Sequence, residues 1–193
     1  MKVERAESAL QSKETFGFWL YLMTDCLVFA TLFATFAVLR GATAGGPSGR
    51  DIFDIGFVFW ETSVLLASSA TVGMALLQAR IGQRKPMLIW LGCTGLLGAL
   101  FLGMELYEFV HLVHDGHSWT RSAFLSSYFG LVGTHGLHIL VGLVWLSILG
   151  LFHLRHELDR RAVQRLVQFS LFWHFLDVVW VCIFSVVYLT GVL

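Results

Sequence analysis

Five long apolar runs govern what this chain can fold into: Phe16–Leu39, Gly56–Gln78, Met87–Phe109, Phe124–Phe152 and Gln168–Leu193. Each reaches the ~20 residues that a helix needs to cross a hydrocarbon core of ~30 Å. Charged residues make up only 13% of the chain, where a soluble domain carries roughly 25%. The expected fold is an all-α membrane protein with five transmembrane helices over 16–193, preceded by a polar N-terminal segment, 1–15. That segment is mixed in charge and has neither an apolar core nor a cleavage site, so no removed signal peptide is expected. The connections are too short for a soluble domain, and no tandem repeat or low-complexity tract is present.

Lys and Arg set the expected orientation. Lys2, Arg5 and Lys13, then Arg80, Arg84 and Lys85, then Arg155, Arg160, Arg161 and Arg165 all fall on one side. The other side has Arg40, Arg50 and Arg121. Basic residues stay on the cytoplasmic face, which predicts a cytoplasmic N-terminus and a periplasmic C-terminus. An odd number of spans agrees with that split.

Smaller features mostly describe packing. The first external loop, Gly41–Asp51, is rich in turn formers. It is not a phosphate loop, because no strand precedes it and it lacks the Gly-Lys-Ser/Thr ending. Gly92, Gly95 and Gly98 recur along the third run, and Gly130, Gly133 and Gly136 along the fourth. Small residues at helical spacing let backbones approach, so these positions are expected at helix contacts. Cys26, Cys93 and Cys182 are scattered and are expected to be small buried hydrophobes rather than ligands of copper or an iron–sulfur cluster.

Chemistry is concentrated in eight ionisable residues inside the runs: Asp25, Glu61, Glu105, Glu108, His135, His138, His174 and Asp177. No Lys or Arg lies well inside a run. An ionisable group at the centre of a span costs at least about 2.5–3.5 kcal/mol on insertion scales, so each needs compensation. Five carboxyls face three imidazoles. Even with every imidazole charged, two carboxylates would lack a partner, so some carboxyls are expected to be protonated or held by hydrogen bonds. Asp25, His135 and His138 fall near mid-span, and His174 and Asp177 in the cytoplasmic half of the last run. Glu61, Glu105 and Glu108 fall towards the outer face, where water or headgroups could solvate them. In Trp173-His-Phe-Leu-Asp-Val-Val-Trp180, His174 and Asp177 are neighbours on one helix surface, and Asp177 shares a stripe with both tryptophans.

Several readings of this set compete. His135-Gly-Leu-His138 offers two metal ligands one turn apart. His135 or His138 with His174 could hold a haem between the last two runs. The acids could form a proton relay or uptake antenna. The plainest reading is a buried polar network that fixes helix register or lines a lipid-binding surface. No nucleophile elbow and no His-Glu-x-x-His helix is present, so no motif marks an enzyme active site.

Six stretches carry a more specific message. They are Gly17-Phe-Trp-Leu-Tyr-Leu-Met-Thr-Asp-Cys26, Ala44-Gly-Gly-Pro-Ser-Gly-Arg-Asp-Ile-Phe53, Glu61-Thr-Ser-Val-Leu-Leu-Ala-Ser-Ser69, Gly103-Met-Glu-Leu-Tyr-Glu-Phe109, Gly133-Thr-His-Gly-Leu-His138 and Phe172-Trp-His-Phe-Leu-Asp-Val-Val-Trp180. With these the chain resembles subunit III of the haem–copper respiratory oxidases, and the bo-type ubiquinol oxidases in particular. Larger cytochrome c oxidase relatives have two extra N-terminal helices, and five spans look like the quinol-oxidase form.

The resemblance implies a non-catalytic accessory subunit of a proton-pumping terminal ubiquinol oxidase in a bacterial plasma (inner) membrane. It implies no haem, copper or other cofactor in this chain; haem and copper belong to the catalytic subunit I. Subunit I would be the direct partner, with subunits II and IV in the same complex, phospholipid bound in a cleft, and no nucleic acid. Asp25 falls where the family has a buried carboxylate, usually Glu, that reacts with a hydrophobic carbodiimide. Glu108 matches a family carboxylate at the end of its helix, whereas Glu61 stands where cytochrome c oxidase relatives have an amide. The alternative from another class is an independent small proton-coupled transporter. The lack of an inverted repeat and of Gly/Pro-broken helices argues against it.

Overall fold

The computed structural model describes the backbone of residues 2–46, 49–155 and 158–192, with side chains from residue 13 onwards except at 14, 50, 51, 155 and 192. The side chains of Lys2, Arg5, Arg50 and Arg155, loop residues Pro47 and Ser48, and Leu193 lie outside the described residues.

Every described element is helical. Helix α1 spans Lys2–Leu39, the single turn α2 Gly49–Ile52, α3 Ile55–Arg80, α4 Arg84–His114, α5 Ala123–Arg155 and α6 Arg160–Ile183. Helix α6 continues through a π-helical segment, Phe184–Leu189, into a last turn, α7, at Thr190–Val192. Five stretches are long and apolar enough to cross a membrane: Thr15–Leu39, Ile55–Arg80, Arg84–His114, Ala123–Leu154 and Arg160–Leu189. The all-α, five-span architecture is the one expected.

The helix ends run past the apolar runs. Helix α1 starts well before Phe16, α4 continues from Phe109 to His114, and α6 begins at Arg160 rather than near Gln168. Hydropathy marks where lipid ends, whereas a helix ends where its hydrogen-bond ladder is capped. At about 1.5 Å per residue, α1 is roughly 57 Å long, nearly twice a ~30 Å hydrocarbon core.

The caps are legible in the residues. Asp54 accepts from the backbone N–H of Gly56 at 2.9 Å and of Phe57 at 3.3 Å, which starts α3. Asp159 does the same for α6 through Ala162 N–H at 2.6 Å. Gly82 closes the α3–α4 turn at φ +76° and Gly116 ends α4 at φ +79°, backbone regions that suit glycine. Pro86 follows in the first turn of α4, where its missing N–H costs nothing. Arg121 pins the α4–α5 connection by donating from Nη1 to the Gly116 carbonyl at 3.0 Å.

Helices α3, α4, α5 and α6 form a closed ring of neighbours, and α1 lies outside it against α5 and α6. Contacts run in opposite residue order between neighbours in the ring. Ser68 meets Trp173 and Thr62 meets Trp180 across α3 and α6. Thr71 meets Thr94 and Phe57 meets Tyr107 across α3 and α4. On the outside, Phe18 meets Trp145 and Phe36 meets Phe124 across α1 and α5. Short connections between antiparallel neighbours give this up-and-down arrangement.

The ionisable groups lie inside an otherwise apolar core, and the outer surface is apolar too. Glu61, Glu105 and His135 are 0%, 1% and 0% exposed, while Leu96, Leu137 and Val178 lie on the surface at 69%, 59% and 62%. Lipid accepts the leucines, so the polar groups move inward, where another helix can answer them. The same solvent explains a correction: Cys26, Cys93 and Cys182 are all exposed rather than buried. A small apolar thiol loses nothing by facing hydrocarbon.

The glycine stripes need correcting too. Gly95, Gly98 and Gly136 sit at close contacts: a Cβ there would come within 2.7 Å of Leu146, 2.8 Å of Trp173 and 2.5 Å of Glu105. Gly133 lies at an ordinary distance from Phe109, and Gly92 and Gly130 have nothing within 4 Å. A three-residue spacing drifts round a helix of 3.6 residues per turn, so one end of each stripe leaves the contact.

Candidate functional site

The eight ionisable residues do not form one centre. They lie along the seams between helices, at three levels.

The first seam joins α3 and α6. Trp173 Nε1–H donates to Ser68 Oγ at 2.9 Å and Trp180 Nε1–H to Thr62 Oγ1 at 3.0 Å. Both indoles are 1% exposed. Between them His174 Nδ1 contacts Ser69 Oγ at 2.5 Å. Asp177, one turn further along α6, is 7% exposed, and its Oδ1 has no hydrogen-bond partner among the described residues. A hydrogen bond spanning two helices fixes their register, and α3 and α6 share several.

The second level holds acids and tyrosines. Glu61 on α3 and Glu105 and Glu108 on α4 meet Tyr128 on α5 and Tyr188 on the π-helical segment. Tyr188 donates to Glu108 Oε2 at 3.0 Å and shares a second contact, also at 3.0 Å, with the Tyr128 hydroxyl. Glu61 and Glu108 lie close enough to Glu105 to feel its charge. The carboxyl oxygens of Glu61 and Glu105 have no hydrogen-bond partner among the described residues. Their position towards the outer face left solvation by water or headgroups open. Instead Glu61 and Glu105 are enclosed by the ring, because α3, α4, α5 and the π-helical turn close around them.

Glu105 rests on the α5 backbone at Gly136. Gly136→Ala should push the carboxyl off its seat and lower stability by about 1–3 kcal/mol, as overpacking does. The check is the unfolding midpoint in detergent, with Glu105→Ala as second site: the alanine at 136 should cost little in that background. Tyr188→Phe should cost about 1–3 kcal/mol by the same measurement, because it leaves the Glu108 carboxyl without its donor.

The third level lies around α5. His135 Nε2–H donates to the Leu176 carbonyl at 3.3 Å, and its ring packs 5.0 Å from Trp180 and 5.8 Å from Phe101. His138 Nδ1–H donates to the Thr134 carbonyl at 2.7 Å. Its Nε2 faces Asp25 Oδ2 on α1 at 3.6 Å. A carbonyl can only accept, so Nδ1 carries a hydrogen.

The three imidazoles thus point to three different neighbours: His135 to α6, His138 to α1 and His174 to α3. Among the described residues no three His, Cys, Asp or Glu side chains are placed to hold a metal ion.

Sequence reasoning missed the neutral half of these seams: Thr62, Ser68, Ser69, Tyr128 and Tyr188. Trp173 and Trp180 are seven residues apart but their acceptors Ser68 and Thr62 are six apart, so sequence spacing does not pair them. His153, fully buried on α5, also stood outside the expected set.

A family model described as cytochrome c oxidase subunit III matches residues 5–192. This chain belongs to that family. The cytochrome bo(3) ubiquinol oxidase subunit 3 of Pseudomonas aeruginosa is 55% identical over 178 residues, covering 92% of this chain and 85% of the relative. The same-named subunit of Buchnera aphidicola is 43% identical over 190 residues, covering 98% of each chain. The cytochrome c oxidase subunit 3 of Bacillus sp. is 45% identical over 185 residues, covering 95% of this chain and 89% of the relative. As a subunit III, the chain is a multi-pass membrane component of a multi-subunit oxidase that includes a catalytic subunit.

Proposed function

We propose that this chain is the non-catalytic third subunit of a proton-pumping terminal ubiquinol oxidase in a bacterial inner membrane. The complex oxidises quinol and reduces oxygen to water; this chain stabilises the catalytic subunit I and binds phospholipid beside it. One observation carries the reading: 55% identity, over 92% of the chain, to a protein named as a ubiquinol oxidase subunit. Subunits II and IV complete the assembly, and haem and copper stay in subunit I. The divergent imidazoles support a chain without its own redox centre.

The N-terminus is cytoplasmic and the C-terminus periplasmic. Lys13, Arg80, Arg84, Lys85, Arg160, Arg161 and Arg165 at one end of the bundle, against Arg40 and Arg121 at the other, support that orientation. The eight intramembrane ionisable residues serve as a network that sets helix register and supports proton-linked turnover in the neighbour.

The test is purification of the native complex through a tag on this chain. The expected preparation contains a haem–copper subunit and oxidises ubiquinol. A preparation that never carries a haem–copper subunit, or that oxidises cytochrome c and not quinol, overturns the reading. So does a haem spectrum from the isolated chain.

A further inference from the structure

Carboxyls form a graded series from the outer end of the bundle into the four-helix ring. Asp54, which caps α3, is exposed and Glu108 on α4 is half-buried. Glu105, one turn deeper, is 1% exposed and Glu61 on α3 is 0% exposed. Neither oxygen of Glu61 or of Glu105 has a hydrogen-bond partner among the described residues. Glu61 is aimed into the same space from the neighbouring helix. Its charge reaches Glu105 and Glu108 on α4, Tyr128 on α5 and Tyr188 on the π-helical segment. The other elements bring no countercharge. His135 of α5 turns its ring to the Leu176 carbonyl, and α6 presents the Trp180 indole. No Lys or Arg occupies 55–79, 86–114, 123–154 or 166–192. The ligand that answers an isolated carboxylate in such surroundings is a proton.

A directed hydrogen-bond chain leads outward from this pair. Tyr188 has one hydroxyl hydrogen and gives it to Glu108 Oε2 at 3.0 Å. Its 3.0 Å contact with Tyr128 therefore has Tyr128 as the donor. Both tyrosines are 0% exposed. The chain runs from Tyr128 to Tyr188 to Glu108, and the Tyr128 oxygen is left to accept at the inner end. Along the α3–α6 seam the hydrogens run the other way into a dead end. Trp180 donates to Thr62, and Thr62 donates to the Val58 carbonyl. An indole N–H only donates, so that seam passes no proton inward.

We propose that Glu61 and Glu105 form an enclosed store for protons, filled and emptied through Tyr128, Tyr188 and Glu108 from the outer side only. This deepens the accessory-subunit reading above and takes its orientation from it. On release, a Glu61 or Glu105 carboxyl, held by no hydrogen bond, turns its hydrogen to the Tyr128 oxygen. Tyr128 passes its own hydrogen to Tyr188, and Tyr188 passes its own to the Glu108 carboxylate. Glu108 hands a proton to water near Asp54. One carboxyl has then lost a proton, water has gained one, and each tyrosine still holds one hydrogen. Filling runs the same bonds in reverse.

The experiment uses the whole complex in liposomes, and the probe is the proton itself. Infrared difference spectra read the carbonyl stretch of protonated carboxyls while the pH is stepped on one side and buffered on the other. Glu61→Gln and Glu105→Gln assign the bands by removing them. Raising the pH on the Glu108 side should bleach the assigned bands, and the same step on the Lys85 side should not. Tyr128→Phe and Tyr188→Phe each break the chain and should slow the bleach about a hundredfold or more, with its final size unchanged. Tyr128→Phe leaves the bond between Tyr188 and Glu108 in place, so its effect is not the loss of that contact. Haem content per copy of the chain checks that each variant complex has assembled. The proposal is overturned if neither glutamine variant removes a band, if the bleach is driven from the Lys85 side, or if both phenylalanine variants bleach at the unaltered rate. Orientation and donor are measured separately. Labelling of Lys85 by a membrane-impermeant amine reagent on the periplasmic surface would defeat the orientation, and oxidation of cytochrome c in place of quinol would defeat the quinol-oxidase reading, whatever the infrared result.

Discussion

Trp173→Ala should be the most destabilising single truncation in the bundle. The indole is 1% exposed and touches every helix of the four-helix ring. Its ring edge lies where a Cβ at Gly98 of α4 or at Gly142 of α5 would come within 2.8 Å. Its Nε1–H reaches Ser68 of α3, and Phe169 on its own helix packs 5.5 Å away. Removing a buried Trp from a water-soluble core costs about 3–5 kcal/mol. In lipid the transfer-from-water share is absent, because the unfolded helices are also in hydrocarbon, so about 2–4 kcal/mol of lost packing and cavity remains. Trp173→Phe separates the terms: most packing survives, and the loss of the Ser68 bond should cost about 1 kcal/mol. The measurement is unfolding in mixed detergent micelles, with retention of the chain in the complex as second readout. Equal stability of the alanine and phenylalanine variants would mean that the four-helix junction does not depend on this ring.

The same residue shows what the sequence could and could not tell. That the run from Gln168 crosses a membrane is legible from apolar length alone, because lipid leaves the backbone little choice but helix. That Trp173, Asp177 and Trp180 share a stripe follows from helical period. Which helix that stripe faces does not follow, since α1, α3 and α5 all contact α6. The answer lies in hydroxyls of α3, and a serine or threonine inside an apolar run looks unremarkable until a partner is opposite it.

The acid set was legible in a different way. Depth along the run placed Glu61 and Glu105 near a membrane face, and depth is all a linear sequence gives. Their burial depends on rotation about the helix axis and on the π-helical turn at Phe184–Leu189, which brings Tyr188 to Glu108. A π-helical turn changes side-chain phase and has no simple residue signature.

Asp25 gives the sharpest test of how the polar seam is held. Asp25→Asn should leave assembly intact and Asp25→Lys should not. The geometry at His138 explains the difference. With Nδ1–H committed to the Thr134 carbonyl, His138 offers Nε2 to α1 across 3.6 Å. An asparagine amide can donate a hydrogen to that nitrogen without moving a charge, so the α1–α5 contact survives. A lysine replaces the carboxylate with an ammonium that faces an imidazole near mid-span, at a cost of about 2.5–3.5 kcal/mol or more. Helix α1 is the most vulnerable place for such a cost, because it lies outside the ring and contacts only α5 and α6 strongly. Loss of α1 docking should appear as proteolytic sensitivity in the α1–α3 connection and a fall of at least tenfold in co-purified haem–copper subunit. Asp25→Leu should fall between the two, since it leaves Nε2 unanswered but adds no charge. Equal assembly of the asparagine and lysine variants would mean that water reaches the Asp25 level, so that this seam is a hydrated cleft rather than a packed one.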